Sequence, residues 1–140
     1  MEQKDYILRE ISKIGQIINA IRQLLFGGSD LLAITLESQI EEAKGMLLSE
    51  MNFDLDKFLE LEKEESEKYL HSHKGFNVEN IEALADCLAQ IGFNGRFDNS
   101  QIYLEKSFQL YELCDLQSKT FSVDREQAKK NCLRGKVSNT

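Results

Sequence analysis

The sequence predicts an all-α fold: five or six antiparallel helices, paired as hairpins in a short right-handed solenoid with no sheet. Three observations carry the prediction. First, one helical hairpin is met twice. Phe26-Gly27-Gly28 is answered 67 positions later by Phe93-Asn94-Gly95, and small Ala33 by small Ser100. Ile14, Ile17, Ile21 and Leu24 are answered by Ile81, Leu84, Leu88 and Ile91. The spacing is roughly twice 34, as a helix–turn–helix repeat gives when one degenerate unit separates two recognisable ones. Second, the 140 residues include no Pro and no Trp, and Leu, Ile, Glu, Lys and Gln are abundant, most of them good helix formers. Third, no period-two alternation is sustained anywhere.

The first helix is predicted from about Lys4 to Phe26. Ile7, Ile11, Ile14, Ile18, Ile21 and Leu25 step by four and three, and Ile17 and Leu24 widen the stripe. Arg9, Lys13, Gln16 and Gln23 take the opposite face. Gly27-Gly28 ends this helix, since Gly enters the left-handed cap without a Cβ clash. Ser29 or Asp30 caps a second helix, with Leu32, Leu36, Ile40, Ala43 and Leu47 on one face. Asn52-Phe53-Asp54 reads as a break and an N-cap. The third helix carries Leu55, Phe58, Leu59, Leu61, Tyr69 and Leu70, has no apolar residue from Glu62 to Lys68, and ends in His71-Ser72-His73-Lys74-Gly75.

Asn77 caps a fourth helix, whose face is Ile81, Leu84, Ala85, Leu88 and Ile91. Asn94-Gly95 turns into a fifth, from about Phe97 to Gln117, apolar on two sides and therefore set between two neighbours. Ser122 caps a sixth, with Val123, Ala128 and Cys132 facing inward and Gly135 at its end. The chain thus reads as one helical domain over 1–135, in hairpins at about 4–48, 54–91 and 97–134, with 136–140 a frayed tail.

A formal net charge of −7 argues against nucleic-acid binding, which needs a basic face. The charge is uneven. Eight acids lie between Glu50 and Glu67 against Lys57 and Lys63, whereas Arg125, Lys129, Lys130, Arg134 and Lys136 face Asp124 and Glu126 near the end. Both runs read as solvated helix faces; a sharper reading sets the acidic face of one copy against the basic tail of another copy or of a partner. Met1 to Asp5 has no signal-peptide character, and no apolar run approaches membrane-spanning length. Cys87, Cys114 and Cys132 are odd in number, match no metal spacing and fall in helical stretches, so reduced thiols in a cytoplasmic protein are expected.

From Ile81 to Cys114 the chain resembles a tetratricopeptide repeat. Leu84, Cys87 and Ile91 take the apolar places of its first helix, Gly95 the turn, and Phe97 the aromatic after it. Ser100, Leu104 and Ser107 supply the small, large, small series of its second helix. Small residues let two helices approach while the large one fills the groove between them. Leu88 stands at the close-packing small position, and Glu112 where the pattern has its closing proline. The earlier copy, Ile14 to Leu47, fits only at Gly28 and Ala33. The run Asp5-Tyr6-Ile7-Leu8-Arg9-Glu10-Ile11, joined to the later hairpin, resembles a family of small bacterial helical proteins of unknown function.

No reactive constellation is legible. No phosphate-cradling Gly-rich loop is present, so no cofactor is expected. His71 and His73, two apart at a helix end, cannot share a helical face or complete a metal site, and read as an exposed, inert pair. Cys87 has no histidine near it in the repeat frame, and the adjacent pairs Glu41-Glu42 and Glu64-Glu65 diverge on a helix. A non-enzymatic interaction or scaffold module is therefore expected, with an unidentified protein or peptide as partner. The tetratricopeptide resemblance implies a concave partner face formed by Ile18, Asn19 and Arg22 with Ala85, Asp86, Ala89 and Phe93. The alternative is a small enzyme or ligand-binding protein, with a pocket between the first, third and fourth helices using Tyr69, His71 or Cys87. Tyr6, Ile7, Leu8 and Ile11 extend beyond the matched hairpin, so a homodimer through Ile7 and Ile11 is also expected.

Overall fold

Stripes of helical period become helices among the described residues. The structure, a computed structural model, describes residues 2–26, 33–94 and 100–138, with side chains described at 5–25, 37–94 and 100–134. Every regular element among them is a helix: α1 (Glu2–Phe26), α2 (Ala33–Met51), α3 (Leu55–Glu60), α4 (Lys63–His71), α5 (Val78–Asn94), α6 (Ser100–Ser118) and α7 (Val123–Ser138). The turns expected at Gly27-Gly28 and Gly95, with the caps Ser29 and Asp30, lie outside the described residues.

Seven helices stand where five or six were expected, because the predicted third helix is two. Leu61 (ψ 147°) and Glu62 (ψ 166°) are extended and separate α3 from α4. With no apolar residue from Glu62 to Lys68, no hydrophobic stripe holds one helix straight across this point; α4 buries only Ser66 and Leu70. The chain divides into two compact units, Met1–Asn80 and Ile81–Thr140.

In the first unit, α1 buries Ile14, Ile17, Ile18, Ile21 and Leu25, and α2 buries Ile40, Ala43 and Leu47. These are among the positions the periodicity marks; of the others, Ile7 is exposed, Ile11 and Leu24 are half-buried, and the side chains of Leu32 and Leu36 lie outside those described. The chain leaves α2 through Asn52 in the left-handed region (φ 54°), whose N–H donates to the Leu48 carbonyl at 3.0 Å. Phe53, wholly buried, follows. Asp54 then caps α3 by accepting the Lys57 N–H at 3.2 Å, while its own N–H donates to the Tyr69 hydroxyl at 2.8 Å. Gly75 closes the unit. A Cβ there would stand 2.6 Å from Ile14 Cδ1 and would meet the Glu10 carbonyl, so the loop passes α1 with no room for a side chain. Asn80 fixes that passage, donating from Nδ2 to the carbonyls of Ile11 (2.9 Å) and Gly75 (2.8 Å).

In the second unit, Ile81, Leu84, Leu88 and Ile91 are buried, as are their counterparts Ile14, Ile17 and Ile21; only Leu24 of the eight is half-buried. Helix α6 is buried on two sides, through Tyr103, Leu104 and Leu110 as well as Tyr111, Leu113 and Cys114. Ser100, Leu104 and Ser107 are all buried against α5 or within reach of it: Ser107 Oγ donates to the Ala85 carbonyl at 2.7 Å. The close approach itself occurs one turn beyond Leu88, at Gly92, where a Cβ would stand 2.7 Å from Leu104 Cδ2 and 3.1 Å from the Ser100 carbonyl.

Helix α7 departs from expectation at both ends. Ser122 Oγ accepts the Arg125 N–H at 3.2 Å, as an N-cap should. Val123, expected inward, is 71% exposed, because the first residue of the helix precedes the face that meets α6. The helix also runs through Gly135 to Ser138, so Gly135 does not end it. A glycine terminates a helix only where the chain takes up a left-handed or turn conformation, and no positive-φ glycine occurs among the described residues.

Candidate functional site

Two constellations stand out, one in each unit. The first surrounds Phe53, whose ring centroid lies 5.3 Å from Phe58, 5.2 Å from Tyr69, 5.1 Å from His73 and 5.6 Å from Phe76. His73 is therefore no exposed partner of His71. Its ring stands edge-on to Phe53, with Nδ1 3.0 Å from the Tyr69 carbonyl and Nε2 3.2 Å from the Asn52 carbonyl. His71 is exposed, its Nδ1 2.9 Å from the Glu67 carbonyl.

On the outer side of His73 a cleft of about 380 Å³ opens, lined by Tyr6, Glu10, Lys13 and Ile14 of α1, by the end of α2 from Ser49 to Asn52, and by Ser72, His73 and Lys74. Its charges are mixed: Glu10 and Glu50 against Lys13 and Lys74. Tyr69, His71 and Cys87, the residues named for a pocket, are not in the lining of this cleft; the Tyr69 hydroxyl accepts the Asp54 N–H.

The second constellation is a polar seam joining α5, α6 and α7. Arg125, 7% exposed, donates from Nε to Glu82 at 2.9 Å and from Nη1 to Asp115 at 2.9 Å. Lys129 Nζ reaches the other Asp115 oxygen at 2.7 Å and Glu126 at 2.8 Å. Burial pushes the Asp115 carboxyl up, but the hydrogen bonds and charges of Lys129 and Arg125 outweigh it and hold its pKa below the ordinary value. Next to this seam the Tyr111 hydroxyl donates to Asp86 Oδ1, and Cys132 Sγ lies 3.7 Å from Ser107 Oγ. Burial, and then the bond to Asp86, raise the Tyr111 pKa. Burial likewise pushes the Cys114 thiol up to about 12 and raises Cys132. These groups are held in their neutral forms, the opposite of an activated nucleophile.

Of the residues assigned to a concave partner face, Ile18 (2% exposed), Ala85 (0%) and Ala89 (7%) are buried. Asp86 is engaged by Tyr111, Asn19 is exposed, Arg22 is half-buried, and Phe93 is 48% exposed. At the start of α1, Tyr6, Ile7 and Leu8 are exposed and Ile11 is half-buried. Sequence reasoning missed Arg125 by counting it with the basic tail. The available signal was its register: positions 125, 128, 129 and 132 share one helical face, and that face offers only Ala128 and Cys132 as small side chains.

Among the described residues, no group of three or more His, Cys, Asp or Glu side chains is placed to hold a metal ion, and no helix is long and apolar enough to cross a membrane. Comparison of the chain with family models, with curated proteins and with solved structures finds no match.

Proposed function

We propose that this chain is a non-enzymatic helical interaction module, built of tetratricopeptide-like hairpins, whose partner is a protein or peptide segment and which also self-associates through the start of α1. The contrast between its reactive and its apolar side chains supports the reading. Cys87, Cys114 and Cys132 are at most 3% exposed, whereas Tyr6, Ile7 and Leu8 present 51%, 41% and 54% of their surface to solvent in three successive positions. Exposed large apolar side chains gathered in one turn of a helix suit a contact. Light scattering of Ile7→Asp and Ile11→Asp tests the self-association: a dimer split by either places the interface on α1, and an unchanged mass removes it. Affinity capture from the native extract identifies the partner.

A second reading rests on the cleft beside His73. Its volume suits a small molecule, and Tyr6 with Lys13 and Lys74 against Glu10 and Glu50 offers a ring and charges of both signs to a zwitterionic aromatic ligand. A thermal-shift screen of such compounds, repeated on Lys74→Ala, tests it; binding lost in that variant favours the cleft.

A further inference from the structure

We propose that α7 is exchanged between two copies of this chain, each copy docking the other's α7 on its own α5 and α6. The inference goes beyond the α1 contact above and does not depend on it. Three features of the second unit support it.

The first is how α7 is held. Among its side chains from Val123 to Arg134, only Arg125 and Cys132 are buried. The receiving surface is acidic, through Glu82 of α5 and Asp115 of α6, and α7 answers with Arg125 and Lys129. A second copy carries the same complement. Contacts of this kind re-form unchanged whichever chain supplies the helix, which is why exchange costs little net free energy and is a route to symmetric dimers.

The second is the hinge. Lys119, directly after α6, sits at φ 57°, and its N–H donates to the Asp115 carbonyl at 3.1 Å. A residue with a Cβ is strained in that region, which the compact turn requires and an opened one does not. Exchange opens two such hinges, so the relief counts twice per dimer.

The third is what flanks the hinge. Leu116, Phe121 and Val123 are 67%, 77% and 71% exposed. In the exchanged dimer the two opened segments run beside each other about the two-fold axis, and these side chains cover one another there. The monomer leaves them in water.

The test uses the full chain and two substitutions of opposite sign at one residue. Lys119→Gly relieves the strain of the closed turn, and Lys119→Val increases it without removing the N–H. Size-exclusion chromatography with light scattering should find the Gly variant about tenfold or more weaker in dimerisation than wild type, since the strain enters twice, and the Val variant stronger. Ser107→Cys places a thiol beside Cys132; oxidation with diamide should then link the two chains of the dimer covalently, visible at double mass on a non-reducing gel. A wild type and Lys119→Val that are both monomeric up to about millimolar concentration overturn the proposal. So does a dimer indifferent to both Lys119 variants, or one whose Ser107→Cys link forms only within a chain. Ile7→Asp in the same experiment separates an α1 dimer from an exchanged one.

Discussion

Helices α2 and α6 both end on a non-glycine residue in the left-handed region, Asn52 at φ 54° and Lys119 at φ 57°, each donating its N–H back to the carbonyl four residues earlier. After Asn52 the chain buries Phe53 completely among four rings, and Asn is among the residues that tolerate this conformation. After Lys119 it leaves Phe121 in water and secures the next helix by Arg125 between two carboxylates. One turn is clamped by apolar burial, which salt hardly touches. The other is latched by charge, which salt screens and acid neutralises.

The largest expected effect is at the apolar clamp. Phe53→Ala empties the centre of the ring cluster and should cost about 3–5 kcal/mol in denaturant unfolding followed by circular dichroism. A loss under about 1 kcal/mol would mean the rings merely adjoin.

That clamp was only partly legible. Asn52-Phe53-Asp54 announced a break and a cap, and Asp54 caps α3 as expected. The burial of Phe53 and the inclusion of His73 were not legible, because they depend on where α4 returns, and no Pro or Gly marks the interruption at Leu61-Glu62. From Ile14 to Ile21 the α1 stripe was read correctly since one residue type recurs at helical spacing. On α7 the same logic chose Val123 for being apolar, whereas the inward position belongs to a charged residue whose partners lie 43 and 10 positions away in sequence. Distant pairing leaves no local period to read.

Breaking the latch comes next. Arg125→Met removes the cation from between Glu82 and Asp115 and should destabilise the second unit by about 2–3 kcal/mol, less than for a fully buried pair because both carboxylates are partly solvated. The substitution should speed hydrogen exchange in α7 well before it affects α1.

At the α5–α6 contact, Gly92→Ala should cost about 1–2 kcal/mol, since its Cβ must displace Leu104 while the Ser100 carbonyl stands close by. Equal stability would show that the helices separate freely there. Thermal unfolding resolves a difference of that size.

The pH dependence of the latch is the smallest effect and has a definite sign. The Asp115 carboxyl is held below its ordinary pKa in the folded chain, so its contribution is fully present above the ordinary carboxylate value and is lost as pH falls through the lowered one. Acid titration should therefore loosen α7 in that window in wild type, and Asp115→Asn should weaken the dependence, leaving the share of Glu82 and Glu126.

The contrast between clamp and latch is tested most directly by peptide-resolved hydrogen exchange at neutral pH, from low salt to about 1 M NaCl, where the screening length falls from tens of ångströms to about 3 Å. The α7 segment, 123–134, should lose protection as salt rises, while 53–76, around the Phe53 rings, keeps its own. Equal response of the two segments, or an α7 that is indifferent to salt, would contradict the account.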